Sequence, residues 1–169
     1  MMIKYLLMGL FLISNQVWAN EVQLKVNTIK QLYREARAKG EEGVIKKYAH
    51  PRFRAVIEHY EKHVQNNHPD EKELDCMDTA GYALALASGS SEIQAAKRTE
   101  FKVDKAGVVE ARLHFDDAYL SRVKFWLQCS QAKCQITDMM VIDPDEKEHK
   151  LPRASQTIKQ GCTKYKLKY

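Results

Sequence analysis

The chain has 169 residues, 44% of them hydrophobic and 29% charged, and a formal net charge of +5. That length suits one domain with one core. The 27 basic against 22 acidic residues exclude the broad basic excess of a whole-surface nucleic-acid binder, and no apolar run comfortably supplies the roughly 20 residues a bilayer span needs.

The opening "MMIKYLLMGLFLISNQVWAN" has the pattern of a secretion signal. Lys4 is a short positive region, Tyr5 to Ile13 is the apolar stretch, and Val17 and Ala19 are small enough for signal peptidase, so cleavage is expected after Ala19. An uncleaved anchor is the alternative. No cysteine stands directly after the apolar stretch, so no bacterial lipid anchor is expected. The reading is therefore a signal over 1–19 and a single periplasmic or secreted domain over 20–169, with no stable membrane insertion after cleavage. Cys76, Cys129, Cys134 and Cys162 all lie in that domain, and an even count in an oxidising compartment predicts two disulfides.

Residues 22–38 show helical spacing, with Val22, Val26, Ile29, Tyr33 and Ala36 on one stripe, Leu32 beside it and Gly40 as the stop. A short helix, Glu41 to Tyr48, follows. Pro51 then opens a third helix at a favoured first-turn position, with Phe53, Val56, Ile57, Tyr60 and Val64 as its apolar face. "ELDCMDTAGYALALASGSS" (73–91) reads as a packed connector. After it the period changes to two. One strand is predicted over Ile93 to Val103, then a turn at 104–107 and a strand from Val108 to Phe115. Val123, Phe125 and Leu127 alternate with Lys124, Trp126 and Gln128, and the last strong strand runs from Cys134 to about Ile142. A charged, proline-bounded linker covers 143–153, and the basic C-terminal "CTKYKLKY" alternates as an edge strand whose lysines discourage further pairing. Helices first and an antiparallel meander after them define an α+β fold, with helices packed on one face of a curved sheet.

Three stretches carry a family resemblance: "IKQLYREA…YAHPRFRAVIE" (29–58), "ELDCMDTAGYA" (73–83) and "VKFWLQCSQAKCQITDMMV" (123–141). Together they resemble the nuclear-transport-factor-two-like superfamily, the cone-shaped α+β fold, and more narrowly its functionally uncharacterised secreted bacterial branch. The resemblance implies the cone fold and no particular chemistry, because that superfamily hosts enzymes, binders and scaffolds alike.

No catalytic constellation emerges from the motifs, and neither a cofactor nor a resident metal is expected. His59 and His63 stand four apart on a helix, at metal-binding spacing, but a third ligand is missing nearby, so two solvated rim histidines are the reading. Asp75 and Asp78 flank Cys76 and are candidates for the mouth of a cavity, against plain turn and capping work. Asp116 and Asp117, and the "DPDEKE" run at 143–148, read as solvated turns and linker. Ser88, Ser90 and Ser91 match neither a nucleophile elbow nor a phosphate loop. Trp126 is a candidate exposed aromatic for a partner surface, with a second packed layer under the C-terminal segment as an equal alternative. Lys164, Lys166 and Lys168 form a local basic end, either a solvated strand face or a docking patch.

In "FWLQCSQAKCQITDM" the two cysteines are flanked by alternating strands, and four residues can close a hairpin between them. Cys129 and Cys134 then face each other as a hairpin clamp. Cys76 with Cys162 follows by elimination. The function expected is that of a periplasmic non-enzymatic binding or interaction protein, an immunity or envelope accessory protein with a protein partner in the cell envelope and a homodimer left open. The alternative is a small-molecule binder or enzyme using the cavity of the cone.

Overall fold

The computed structural model describes residues 3–41, 43–64, 78, 80–88, 93–115, 119–130, 132–142 and 152–161. Three helices lead: α1 (Ile3–Lys39), α2 (Val44–Tyr48) and α3 (Pro51–Val64). A helical turn at 80–83 and a short 3-10 turn, Ile93–Ala95, precede the sheet. The strands are β1 (Arg98–Val103), β2 (Val109–His114), β3 (Leu120–Cys129) and β4 (Cys134–Ile142), and a last helix, α4, spans Ala154–Gly161. The sheet is an antiparallel meander in the order β1-β2-β3-β4. The architecture is α+β, with N-terminal helices against a four-stranded open sheet, as the sequence periods predict.

The α1 helix runs unbroken through Ala19, so the residues expected as a signal are continuous with the first domain helix. Its end is set by Gly40, whose N–H bonds to the Ala36 carbonyl at 2.9 Å with φ at 90°, a conformation that costs a residue with a Cβ. Ile29, Leu32, Tyr33 and Ala36 are buried at helical spacing, and Phe53, Val56 and Ile57 do the same on α3. They meet Val109, Ala111, Leu113, Val123, Phe125 and Met139 on the inner face of the sheet. Each fully buried side chain of this size contributes about 1.5–3 kcal/mol relative to exposure. Tyr33 packs edge-on against both Phe101 and Phe125, with centroids 5.8 and 6.2 Å away, and donates its hydroxyl to the Leu86 carbonyl at 2.7 Å.

Two differences from the periodic reading have local causes. The strand predicted from Ile93 begins only at Arg98, because Ile93 starts a 3-10 turn and is fully buried there. Residues 154–161, where the periods predict no element, form α4, with Ala154 and Ile158 buried in the main core, and the expected edge strand at 162–169 lies outside the described residues. At eight residues α4 is too short to reveal a helical period clearly.

Sheet register slips between Trp126 and Leu127, where Trp126 pairs Asp138 and Leu127 pairs Ile136. Thr137 is the extra residue, and its hydroxyl donates to the Trp126 carbonyl at 3.1 Å. Such a bulge inverts the alternation. It lets both Ile136 and Met139 point into the core and turns Asp138 to the other face. The edge of β4 is covered: Ala49 bridges Ile136 in parallel, and the His50 N–H bonds to the Ile136 carbonyl at 2.8 Å.

Candidate functional site

The inner face of the sheet, where a cone fold would hold a cavity, is packed with side chains of α1, α3 and the strands. An open groove of about 790 Å³ lies elsewhere, between the α1–α2 junction, α3 and residues 81–85. Ile45, Ile57, Leu84 and Ala85 provide apolar lining, and Lys39, Glu41, Lys46 and Glu61 provide charge.

Each wall has a reason to stand where it does. Glu41 accepts from the backbone N–H groups of Leu86 and Ile93, both at 3.3 Å, and so ties the α1–α2 junction to the connector. Lys46 of α2 and Glu61 of α3 close an ion pair at 2.5 Å across the groove. Both ends are about one-third exposed, at 34% and 31%, so solvent screens the pair and it sets geometry more than stability. Arg54 donates to the Lys46 and Ala49 carbonyls at 3.1 and 3.3 Å and holds the end of α2 against α3. Tyr60 lines the groove with its phenol pushed above its ordinary pKa, first by burial and then by the charges of Glu61 and Asp78. A lined groove with both signs of charge and an aromatic can hold a short polar segment of a partner or a zwitterionic small molecule.

Within the connector residues 80–88 pack, with Ala80, Ala83, Leu86 and Ala87 buried. Ser88 is fully buried, and its backbone N–H donates to Ser121 Oγ at 2.7 Å. Tyr119 donates its hydroxyl to the Ser88 carbonyl at 2.7 Å, and the two side-chain oxygens stand 3.1 Å apart. This serine is a structural tie.

Cys129 and Cys134 form the expected disulfide, with Cα atoms 4.0 Å apart, closing the β3–β4 hairpin. The Ser130 N–H bonds to the Lys133 carbonyl at 2.9 Å and completes the loop. The C-terminal segment at 162–169, expected as an alternative cover for Trp126, lies outside the described residues. Trp126 is half-buried, and the Arg153 guanidinium stacks over its ring at 4.1 Å, so the approach to α4 lies on it. Its register partner Asp138 is buried and accepts from the Ser155 backbone N–H at 3.0 Å and from the Ser155 hydroxyl at 2.6 Å. Trp126 and Asp138 thus form the seat of α4's first turn.

On the same outer face Glu110 lies between Arg112 and Arg122, bonded to both, with Arg122 Nη2 at 3.0 Å. Burial pushes its carboxyl up, but the hydrogen bonds and charges of Arg122 and Arg112 outweigh that and hold it below the usual carboxylate range. At the α1–α2 contact Glu35 is held low, first by the hydrogen bonds from Lys47, while burial and then the neighbouring Glu35 push the Tyr48 phenol up to about 12.

Among the predicted site residues Asp78 is exposed and acts on Tyr60 through its charge. Asp75, Cys76, Asp116, Asp117, Ser90, Ser91, Cys162, Lys164, Lys166 and Lys168 lie outside the described residues, as does the 143–148 run. Among the described residues no three His, Cys, Asp or Glu side chains are placed to hold a metal ion, and no helix is long and apolar enough to cross a membrane. Of the groove residues, Tyr60 is expected from sequence only as part of α3's apolar face, and Glu41, Lys46 and Glu61 are marked by no motif. They come from the α1–α2 junction, α2 and α3, and no local spacing marks them as one site. No protein-family model matches the chain, and neither a curated protein nor a solved structure matches it.

Proposed function

We propose that this chain is a periplasmic or secreted interaction protein, an immunity or envelope accessory protein, that receives a short segment of a protein partner in the groove between α2, α3 and residues 81–85. The observation that carries the reading is the groove itself, which lies outside the packed core and combines the Lys46–Glu61 pair with Tyr60 and apolar lining. The Cys129–Cys134 disulfide and the leader pattern support an oxidising compartment. Helices followed by an antiparallel sheet support membership of the nuclear-transport-factor-two-like superfamily as part of the same proposal.

The test is a photo-crosslinking amino acid placed at Lys39 in one strain and at the exposed Lys159 of α4 in another, with the full-length gene expressed in a bacterium of the native envelope type. The expected result is a mature chain beginning at Asn20 in the periplasmic fraction and a discrete adduct from position 39 only. A chain retained in the cytoplasm, or equal adducts from both positions, would sink the reading.

A further inference from the structure

The two edges of the sheet differ. The β4 edge is covered by the α2–α3 junction and α4, whereas among the described residues β1 pairs with β2 alone. Open strand edges are templates for pairing. The hydrogen-bond phase of the β1–β2 hairpin shows which groups β1 offers. The Asp104 N–H bonds to the Val108 carbonyl at 3.1 Å, so 104 and 108 are a hydrogen-bonded pair. Such pairs alternate along an antiparallel ladder. Arg98, Glu100 and Lys102 therefore direct their backbone groups to β2, and Thr99, Phe101 and Val103 direct theirs to the open edge. Those same three residues face the core yet stay half-buried, while their β2 partners Val109, Ala111 and Leu113 are fully buried.

We propose that β1 is the contact strand of a homodimer, pairing antiparallel with β1 of a second copy about a two-fold axis at Phe101. The register is dictated by charge. With Phe101 opposite its own copy, Glu100 lies opposite the second Lys102 and Lys102 opposite the second Glu100 on the outer face, while Arg98 comes opposite the second Asp104, whose Oδ1 accepts from the Ala106 and Val108 N–H groups of its own turn. Thr99 and Val103 pair on the core face. Every hydrogen-bonded pair in this register, 99 with 103 and 101 with itself, uses the backbone groups left open. A shift of two residues is the smallest that keeps faces and hydrogen bonds in phase. One direction sets Glu100 against Glu100 and Arg98 against Lys102; the other sets Lys102 against Lys102 and Glu100 against Asp104. Like charges directly opposite destabilise a pair, so the Phe101-centred register stands apart from both neighbours. Glu100 already reaches Arg98 at 3.1 Å and His114 at 3.8 Å in its own chain, which holds its carboxylate on the outer face where the second Lys102 would arrive. Both copies keep α1 on the same side of a continuous eight-stranded sheet. The proposal goes beyond the groove reading and does not depend on it.

Six residues a side is a small interface, so the association is weak and calls for sedimentation velocity over a series reaching roughly 500 µM. Protein purified from cells expressing the full-length gene is expected to show a concentration-dependent monomer–dimer equilibrium. Glu100→Lys and Lys102→Glu each place like charges opposite twice over, and each should weaken the dimer by about tenfold or more. An equimolar mixture of the two variants restores opposite charges at both contacts and should recover wild-type association as a heterodimer, which also shows that both variants are folded. A chain that stays monomeric throughout, because its own C-terminal segment or nothing occupies β1, overturns the proposal. So does a dimer indifferent to both substitutions, or a loss in both variants with no recovery on mixing.

Discussion

Glu110 is a closely held acid, with its carboxylate bonded by Arg112 and Arg122 and its residue 8% exposed. Its folded pKa lies below the ordinary 4.5. A depressed carboxylate contributes stability that is whole above about pH 4.5 and is lost as the pH falls through the lowered folded value. Glu110→Gln should therefore cost about 2 kcal/mol at pH 7, leaving two arginines facing a neutral amide, and should flatten the acid limb of a urea-midpoint-against-pH plot. An unchanged acid limb would place the titration elsewhere. Trp126 gives a second reading at this scale. The chain holds two tryptophans, Trp18 and Trp126, so a chain beginning at Asn20 fluoresces from Trp126 alone. Arg153→Ala removes the guanidinium over its ring, and the emission maximum should move to the red with a stability loss of roughly 0.5–1 kcal/mol. The alternation around Trp126 was legible in sequence. Its cover was not, because Arg153 is 27 positions away and reaches the ring only through the path of the chain into α4.

The elements divide into those that announce themselves and those that tertiary contacts create. The stripes on α1 and α3 are strong enough to be read locally, and burial follows them residue by residue from Ile29 to Ile57. The α4 helix is of the other kind. Eight residues form a marginal helix alone, and it exists because Asp138 takes up the Ser155 N–H and hydroxyl while Ile158 is fully buried. Asp138→Ala removes the acceptor at the helix start and should cost about 1 kcal/mol, with hydrogen exchange accelerating in residues 154–161 before the strands respond. Exchange rising equally in β1 and β2 would show instead that α4 does not open independently. The β3–β4 hairpin was legible to the residue, since alternation on both flanks of a four-residue loop leaves the cysteines opposite. Its short loop limits the gain, so replacing both Cys129 and Cys134 by serine should lower stability by no more than about 2 kcal/mol in denaturant melts. A larger loss would mean that the clamp also holds the register beyond the bulge.

At the scale of the whole molecule the core gathers side chains from Ile29 to Ile158. A chain beginning at Asn20 keeps every one of those side chains and should unfold cooperatively at the same temperature as the full-length form, and a calorimetric difference of more than a few degrees would assign residues 1–19 a structural role. Composition, the change of period from 3.6 to two, Gly40 and the cysteine spacing by themselves determined the α+β class, the helix-then-meander order and the hairpin disulfide. Each rests on interactions a few residues apart, where spacing is geometry. Only the tertiary structure decided the rest. The bulge at Trp126 and Leu127 turns Asp138 outward, the path through 153 lays a cation on an indole, and the α1–α2 junction, α2 and α3 set Glu41, Lys46, Tyr60 and Glu61 around one groove. Apart from Tyr60 on the α3 stripe, those side chains carry no period and no motif, because what brings them together is the packing of their backbones around a shared core.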